Sequence, residues 1–210
     1  MAQMRLDKVL SSQNAGSRKE IAQMAHRGEI AVNGQIVRKA DCKIDPEVDK
    51  IVVGGKVVCF KQYRYFMMNK PQGVLCATKD LQAQTVLDLL PQEFKRRDLF
   101  PAGRLDRDTE GLLIITDDGA FAHRMLSPKK HVVKYYHALV DSPVTVQEIE
   151  QFAKGVALED FTCLPAELRV LKIGEHPLVE VKICEGKFHQ IKRMFGACGK
   201  KVLWLKRVQI

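Results

Sequence analysis

The apolar positions divide the chain into a short helical start and a longer, strand-rich remainder. Leu6, Val9 and Leu10 recur at helical spacing and predict a short amphipathic helix. Ser17 and Glu20 have the S-x-x-E spacing of a capping box, which opens a second helix with Ile21, Met24 and Ala25 as its apolar stripe. Gly28 is placed to end that helix. Ile30–Val37 carries Asn33-Gly34 at its centre, and Ile51–Val58 carries Gly54-Gly55. Both read as hairpins, because these turn residues tolerate positive φ.

Cys59–Arg64 is a short polar stretch and reads as a linker, so a small unit over residues 1–60 is expected before a larger one over 61–210. Beyond it, Tyr65–Asn69 reads as a strand and Asn69–Gly73 as a turn. Further apolar or β-branched runs lie at Leu112–Thr116, Val132–Val140, Glu167–Ile173, Leu178–Cys184 and Val202–Ile210. Three helical stripes interrupt them: Ala120–Leu126, a second through Val146, Ile149 and Phe152 ending at Gly155, and a third through Ile191, Met194, Phe195 and Cys198 ending at Gly199. Many strands with few helices in irregular order predict an α+β domain with a mixed, largely antiparallel sheet.

Composition narrows the function classes. No apolar run is long enough for a transmembrane helix, and Met1–Lys8 lacks the apolar core of a signal peptide, so a cytoplasmic protein with no membrane partner is expected. The six cysteines show no metal-ligand spacing and read as buried free thiols. The net charge of +9 favours a polyanionic partner. Its distribution is uneven: Lys187, Lys192, Arg193, Lys200, Lys201, Lys206 and Arg207 face a single nearby acid, Glu185.

The candidate chemistry lies in Gly103-Arg104-Leu105-Asp106-Arg107-Asp108-Thr109-Glu110-Gly111, followed by the strand Leu112–Thr116. Guanidinium groups on both sides favour an ionised Asp106, and a carboxylate on a loop anchored by a core strand suits covalent catalysis. Taken alone, an Asp in a Gly-bounded loop is more often a turn residue. Tyr136 in a strand is more often core, and Lys192 on a helix more often a solvated charge. Asp106-x-Asp108 and Asp117-Asp118 bear on a metal site, but Asp118 reads better as a helix cap, and no metal is expected.

Two resemblances change that weighing. The order helix, basic loop, helix and Val-Asn-Gly hairpin, carried by Arg5-Leu6-Asp7-Lys8, Ser17-Arg18 and Gly28 through Val32-Asn33-Gly34, resembles the S-four-like RNA-binding domain. The resemblance implies that Arg5, Lys8, Arg18, Lys19, Arg27 and Arg38 face folded RNA. Gly103-Arg104-Leu105-Asp106 with its following strand resembles the signature of the RsuA and RluA groups of pseudouridine synthases. Asn69–Gly73, Lys134-Tyr135-Tyr136 and Glu185–Phe195 resemble three further motifs of those groups, in order.

This second resemblance implies isomerisation of uridine to pseudouridine in ribosomal RNA without a cofactor. Asp106 would be the essential acid, Lys192 its cationic partner (as in the RsuA group), Tyr136 a stacking face and proton carrier, and Ile191 apolar packing. Arg104 and Arg107 would hold phosphates, and His189 would have a supporting role. Whether Asp106 attacks the ribose, attacks the base or removes a ribose proton stays open. The pattern Thr116–Gly119 with His123-Arg124 and Ser127-Pro128 looks closer to members acting on the small-subunit 16S RNA than on 23S RNA. Family members usually continue past Lys206–Ile210 through a Gly-Gly turn, so the last strand is expected to lack its usual closure. A monomer is expected. Two other functions fit parts of the pattern: a non-catalytic RNA-binding protein, and a base-excising glycosidase with Asp108 or Glu110 as a proton donor.

Overall fold

The computed structural model describes residues 3–95 and 98–210. The chain divides into two compact units, one of Met1–Tyr63 with Pro91–Arg97 and one of Arg64–Leu90 with Asp98–Ile210. Within the first unit, the side-chain amide of Asn14 donates to the carbonyl of Lys95 at 2.5 Å.

The first unit runs β1 (Met4–Arg5), α1 (Leu6–Ser12), α2 (Arg18–His26), β2 (Ile30–Val32), β3 (Gln35–Ile36), β4 (Lys43–Ile44), β5 (Ile51–Val53) and β6 (Lys56–Val58). The expected helical stripe forms its core: Leu6, Val9, Leu10, Ile21 and Ala25 are fully buried with Ile30 and Ile51. Ser17 and Glu20 complete the capping box, each side chain accepting from the other residue's backbone N–H. Asn33 and Gly34 both have positive φ, as do Gly54 and Gly55, so both expected hairpins close as tight turns. β2 joins the hairpins by pairing with β5, giving the order β3-β2-β5-β6. The two-residue pair β1–β4 is too short to leave a periodic signal in the sequence.

The second unit is built on one mixed sheet. Its elements are β7 (Tyr65–Lys70), β8 (Phe100–Ala102), β9 (Glu110–Thr116), α3 (Gly119–Leu126), β10 (Lys134–Val140), α4 (Val146–Lys154), β11 (Glu167–Lys172), β12 (Leu178–Ile183), α5 (Gln190–Ala197) and β13 (Val202–Gln209). The order is β11-β12-β10-β13-β9-β7, with β8 also on β9. All named pairings are antiparallel except β13 with β9. The architecture is therefore α+β with a mixed, largely antiparallel sheet, as the strand pattern implies. β8 lies outside the expected runs because Pro101 sits at its centre, a residue that demotes a strand reading.

Period-two alternation sets what each strand buries. Leu113 and Ile115 of β9, Tyr136, Ala138 and Val140 of β10, Val179, Val181 and Ile183 of β12, and Leu205 of β13 share a core with Phe152, Met194 and Phe195 of the helices. Three inward-phase positions at strand ends carry cations instead. Lys70, Lys134 and Arg207 are all buried. Asp118 caps α3 by accepting from the Phe121 N–H at 2.9 Å, and Tyr65 donates its hydroxyl to the same carboxylate at 2.6 Å. That matches the cap expected there. Asp117 accepts from the Arg64 N–H at 2.7 Å.

Candidate active site

Asp106 sits on the loop between β8 and β9, next to the one parallel junction among the named strands, where Arg207 pairs with Gly111. The loop is held from beneath. Lys70, fully buried at the end of the inward row of β7, donates to the carbonyls of Pro71, Asp106, Arg107 and Thr109 at 3.0–3.2 Å. Burial pulls the Lys70 ammonium below its ordinary pKa, and Cys76, Asp108 and Asp106 oppose that by Coulomb attraction. From the side, Arg107 donates through Nε to the carbonyl of Gly73, while the Gly73 N–H donates to the carbonyl of Arg107. The turn Asn69–Gly73 and the loop of Asp106 are thus one stitched structure.

The Asp106 carboxylate faces α5. Lys192 Nζ lies 3.1 Å from its Oδ2, and His189 Nε2 lies 3.5 Å from its Oδ1. Lys192 also donates to Asp108 at 2.6 Å. Burial alone would lower the Lys192 ammonium, but the hydrogen bonds to Asp108 and Asp106 outweigh it and hold the pKa above the ordinary lysine value. The bond from Lys192 conversely holds the Asp108 carboxyl below the ordinary range, against a smaller opposing effect of burial. The guanidinium groups of Arg104 and Arg107 form no ion pair with Asp106 among the described residues; the cationic partner at its carboxylate is Lys192, with His189 beside it.

A small, solvent-open pocket lies over this carboxylate, lined among others by Arg104, Asp106, Tyr136, Lys187, His189 and Ile191. Tyr136 and Ile191 present apolar surface to it, both nearly buried in the core behind. The Tyr136 hydroxyl lies 3.5 Å from Nη1 of Arg207. Arg207 in turn donates through Nε to the carbonyl of Leu112 at 2.8 Å, and its Nη2 is buried without a partner among the described residues. Gln190 fixes the start of α5, accepting from the Lys187 N–H at 3.0 Å and donating to Glu185 at 2.7 Å.

In the first unit Lys8, Arg18, Lys19 and Arg38 are exposed. Arg5 is committed to Asp7 by a two-pronged pair at 3.1 and 2.8 Å, and Arg27 to Glu29, so these two offer less free charge to an anion than their positions alone imply. Lys70 and Gln190 received no role from the sequence reading, and Arg207, counted there with the cationic cluster of residues 187–207, is instead buried. Their signal was present only as phase, since both cations occupy inward positions of an alternating strand where an apolar residue is the rule.

The sequence profile of RNA pseudouridylate synthases matches residues 64–197, and that of the S4 domain matches residues 4–50. The chain is 42% identical over 209 residues to an uncharacterized RNA pseudouridine synthase of Bacillus subtilis, covering 99% of this chain and 87% of that one. It is equally 42% identical to the ribosomal small subunit pseudouridine synthase A of Escherichia coli, over 99% of this chain and 89% of that one. A crystal structure of a pseudouridylate synthase superposes with a TM-score of 0.63 at 34% identity, covering 97% of this chain and 87% of its counterpart. With an S4 domain ahead of a synthase domain, and full-length similarity of this level to small-subunit enzymes, the chain belongs to the RsuA type of the RNA pseudouridylate synthase family.

Proposed function

We propose that this pseudouridine synthase isomerises a uridine of small-subunit ribosomal RNA, with Asp106 as nucleophile and no cofactor. The observation that carries the chemistry is the Asp106 carboxylate on a pocket wall, 3.1 Å from Lys192, with Tyr136 and Ile191 offering an apolar surface for a planar base. The 42% identity to an enzyme named for the small ribosomal subunit supports the choice of 16S RNA over 23S RNA.

Isomerisation breaks the bond from ribose to nitrogen 1, turns the base and forms a bond from ribose to carbon 5. The proton of carbon 5 leaves and nitrogen 1 gains one, so atoms and electrons balance without a redox partner. Asp106 reacts from a position 3.1 Å from Lys192, and Lys192 stabilises charge on the detached base. The Tyr136 hydroxyl serves proton transfer at carbon 5. The base must leave its stack to enter the pocket. Arg104 and Arg107 hold flanking phosphates. Residues 61–210 do the chemistry, and residues 1–60 grip the RNA through Lys8, Arg18, Lys19 and Arg38, with Arg5 and Arg27 secondary. The protein acts as a monomer in the cytoplasm.

A base-excising glycosidase would need a protonated acid beside Asp106. Asp108 is held ionised by Lys192, and Glu110 accepts from the Trp204 indole at 3.0 Å, so neither is arranged as a proton donor. The deciding experiment is single-turnover release of label from ribosomal RNA tritiated at carbon 5 of uridine. Release from 16S RNA by the native chain and none by Asp106→Ala is the expected result. Release from 23S RNA alone would overturn the subunit choice, a free base among the products would favour the glycosidase, and no release from any RNA would overturn catalysis.

A further inference from the structure

We propose that Phe188 is a stacking platform for a nucleobase adjacent to the target uridine, an inference that rests on RNA being the substrate. Isolated exposed apolar side chains are ordinary on a protein surface. Phe188 is set apart by what surrounds it. It is 72% exposed, yet its ring lies parallel to the imidazole of His189, with centroids 3.8 Å apart and planes 16° apart. His189 is the residue whose Nε2 faces Asp106 at 3.5 Å, and it lines the pocket. The stack therefore begins beside the reacting carboxylate and ends in solvent.

The segment carrying Phe188 is fixed rather than left to adapt. Buried Gln190 binds the Lys187 N–H and Glu185, and Glu185 accepts from the Leu164 N–H at 2.8 Å. His189 holds a left-handed backbone, with φ of 48°, that an L residue adopts at a cost. An aromatic ring presented on a pinned backbone loses little entropy on receiving a ligand.

The surrounding charge selects the ligand class. Lys187 and Arg193 lie over the ring of the neighbouring Phe161, 5.5 and 5.3 Å from its centroid, and Arg104, Lys187 and Lys192 bring cationic groups to or beside the pocket. An exposed aromatic face among cations fits single-stranded RNA, where a base stacks and its phosphates pair with the cations. Arg193 already pairs with Asp160 and Lys192 with Asp106 and Asp108, so Arg104 and Lys187 are the groups that an uncharged apolar peptide would leave without an anionic partner. A base held on Phe188 would keep the strand splayed on one side of the uridine, which the flipped geometry requires.

The test uses the full chain and an RNA hairpin carrying the uridine that the native protein modifies, with 2-aminopurine placed in turn at each neighbouring position. Binding is expected to quench the emission at one of those positions. Phe188→Tyr and Phe188→Trp should keep the quenching, whereas Phe188→Leu, which keeps apolar bulk, and Phe188→Ala should lose it. For the Ala variant KM should rise about 5- to 150-fold, with a smaller change in kcat. Quenching unchanged in Phe188→Leu and Phe188→Ala would overturn the platform while leaving the isomerase intact. Equal losses in the planar and non-planar variants would also overturn it. Native protein that releases no label from any RNA would remove the substrate reading itself, and this inference with it.

Discussion

The ammonium of Lys70 donates to the carbonyl of Asp106 at 3.1 Å, so a buried cation on β7 holds from behind the residue whose carboxylate faces Lys192 from the front. Four carbonyls share the three protons of that ammonium in a fully buried site. Lys70→Met keeps the stem and removes the donor. It is expected to lower unfolding free energy by about 2–4 kcal/mol, because several buried carbonyls lose a charged partner. Urea denaturation measures this. Wild-type stability in the variant would mean that the loop is held by its stitching to Gly73 instead.

Gly111 has φ of +106°, and a Cβ there would overlap the carbonyl oxygen of Arg207 across the parallel β9–β13 junction. Gly111→Ala combines a disfavoured backbone with a backbone collision that no rotamer relieves. A loss of about 3 kcal/mol or more is expected, together with loss of activity as Arg207 and the Asp106 loop separate. Thermal unfolding and the tritium-release assay check the two parts. A fully stable Gly111→Ala protein would show that β9 and β13 accommodate the methyl group by shifting apart.

The elements most legible in the sequence are those with a local cause. The capping box of Ser17 and Glu20, the Asn33-Gly34 and Gly54-Gly55 turns and the cap at Asp118 need only neighbouring residues, and each forms as expected. The apolar or β-branched runs also marked β9, β10 and β12, whose inward residues enter the core. Lys70 and Arg207 escaped because their function depends on partners 36 to 95 positions away, which no local pattern encodes. The guanidinium groups of Arg104 and Arg107 misled for the opposite reason. Adjacency in sequence suggested a pair with Asp106, but Arg107 reaches back to Gly73 and the carboxylate turns to α5.

Lys192 is shared between Asp106 and Asp108, and the sharing sets a pH dependence. Asp108 is held below its ordinary value of 3.8, so its contribution to stability is present above that value and is lost as pH falls through its folded value. Lys192 is held above its ordinary 10.5, so its contribution is present below 10.5 and is lost only as pH rises past its raised value. The stability gap between the native chain and Asp108→Asn should therefore be flat near neutrality and close in acid. It should be small, because Asp108 is 70% exposed and solvent screens the pair. Denaturation midpoints from pH 7 downward test this, and a gap that widens in acid would contradict the pairing.

The guanidinium of Arg207 has no carboxylate partner among the described residues, yet it is buried against the Tyr136 hydroxyl and adds to the burial that lowers the Lys134 ammonium. Such a cation is costly to bury, so removing it relieves desolvation while orphaning the Leu112 carbonyl. These opposing terms leave Arg207→Met within about 2 kcal/mol of wild-type stability. Activity should respond differently. Without the fork of Arg207 the Tyr136 hydroxyl loses its fixed direction, and kcat should fall about tenfold or more while KM changes less. Arg207→Lys should not restore it, since one ammonium cannot reach both the Leu112 carbonyl and Tyr136. The distinguishing measurement is the double substitution with Tyr136→Phe. If Arg207 acts through that hydroxyl, Arg207→Met should cost much less in the Tyr136→Phe background than in the native one. Equal costs in both backgrounds would make Arg207 a structural residue of the β9–β13 junction and nothing more.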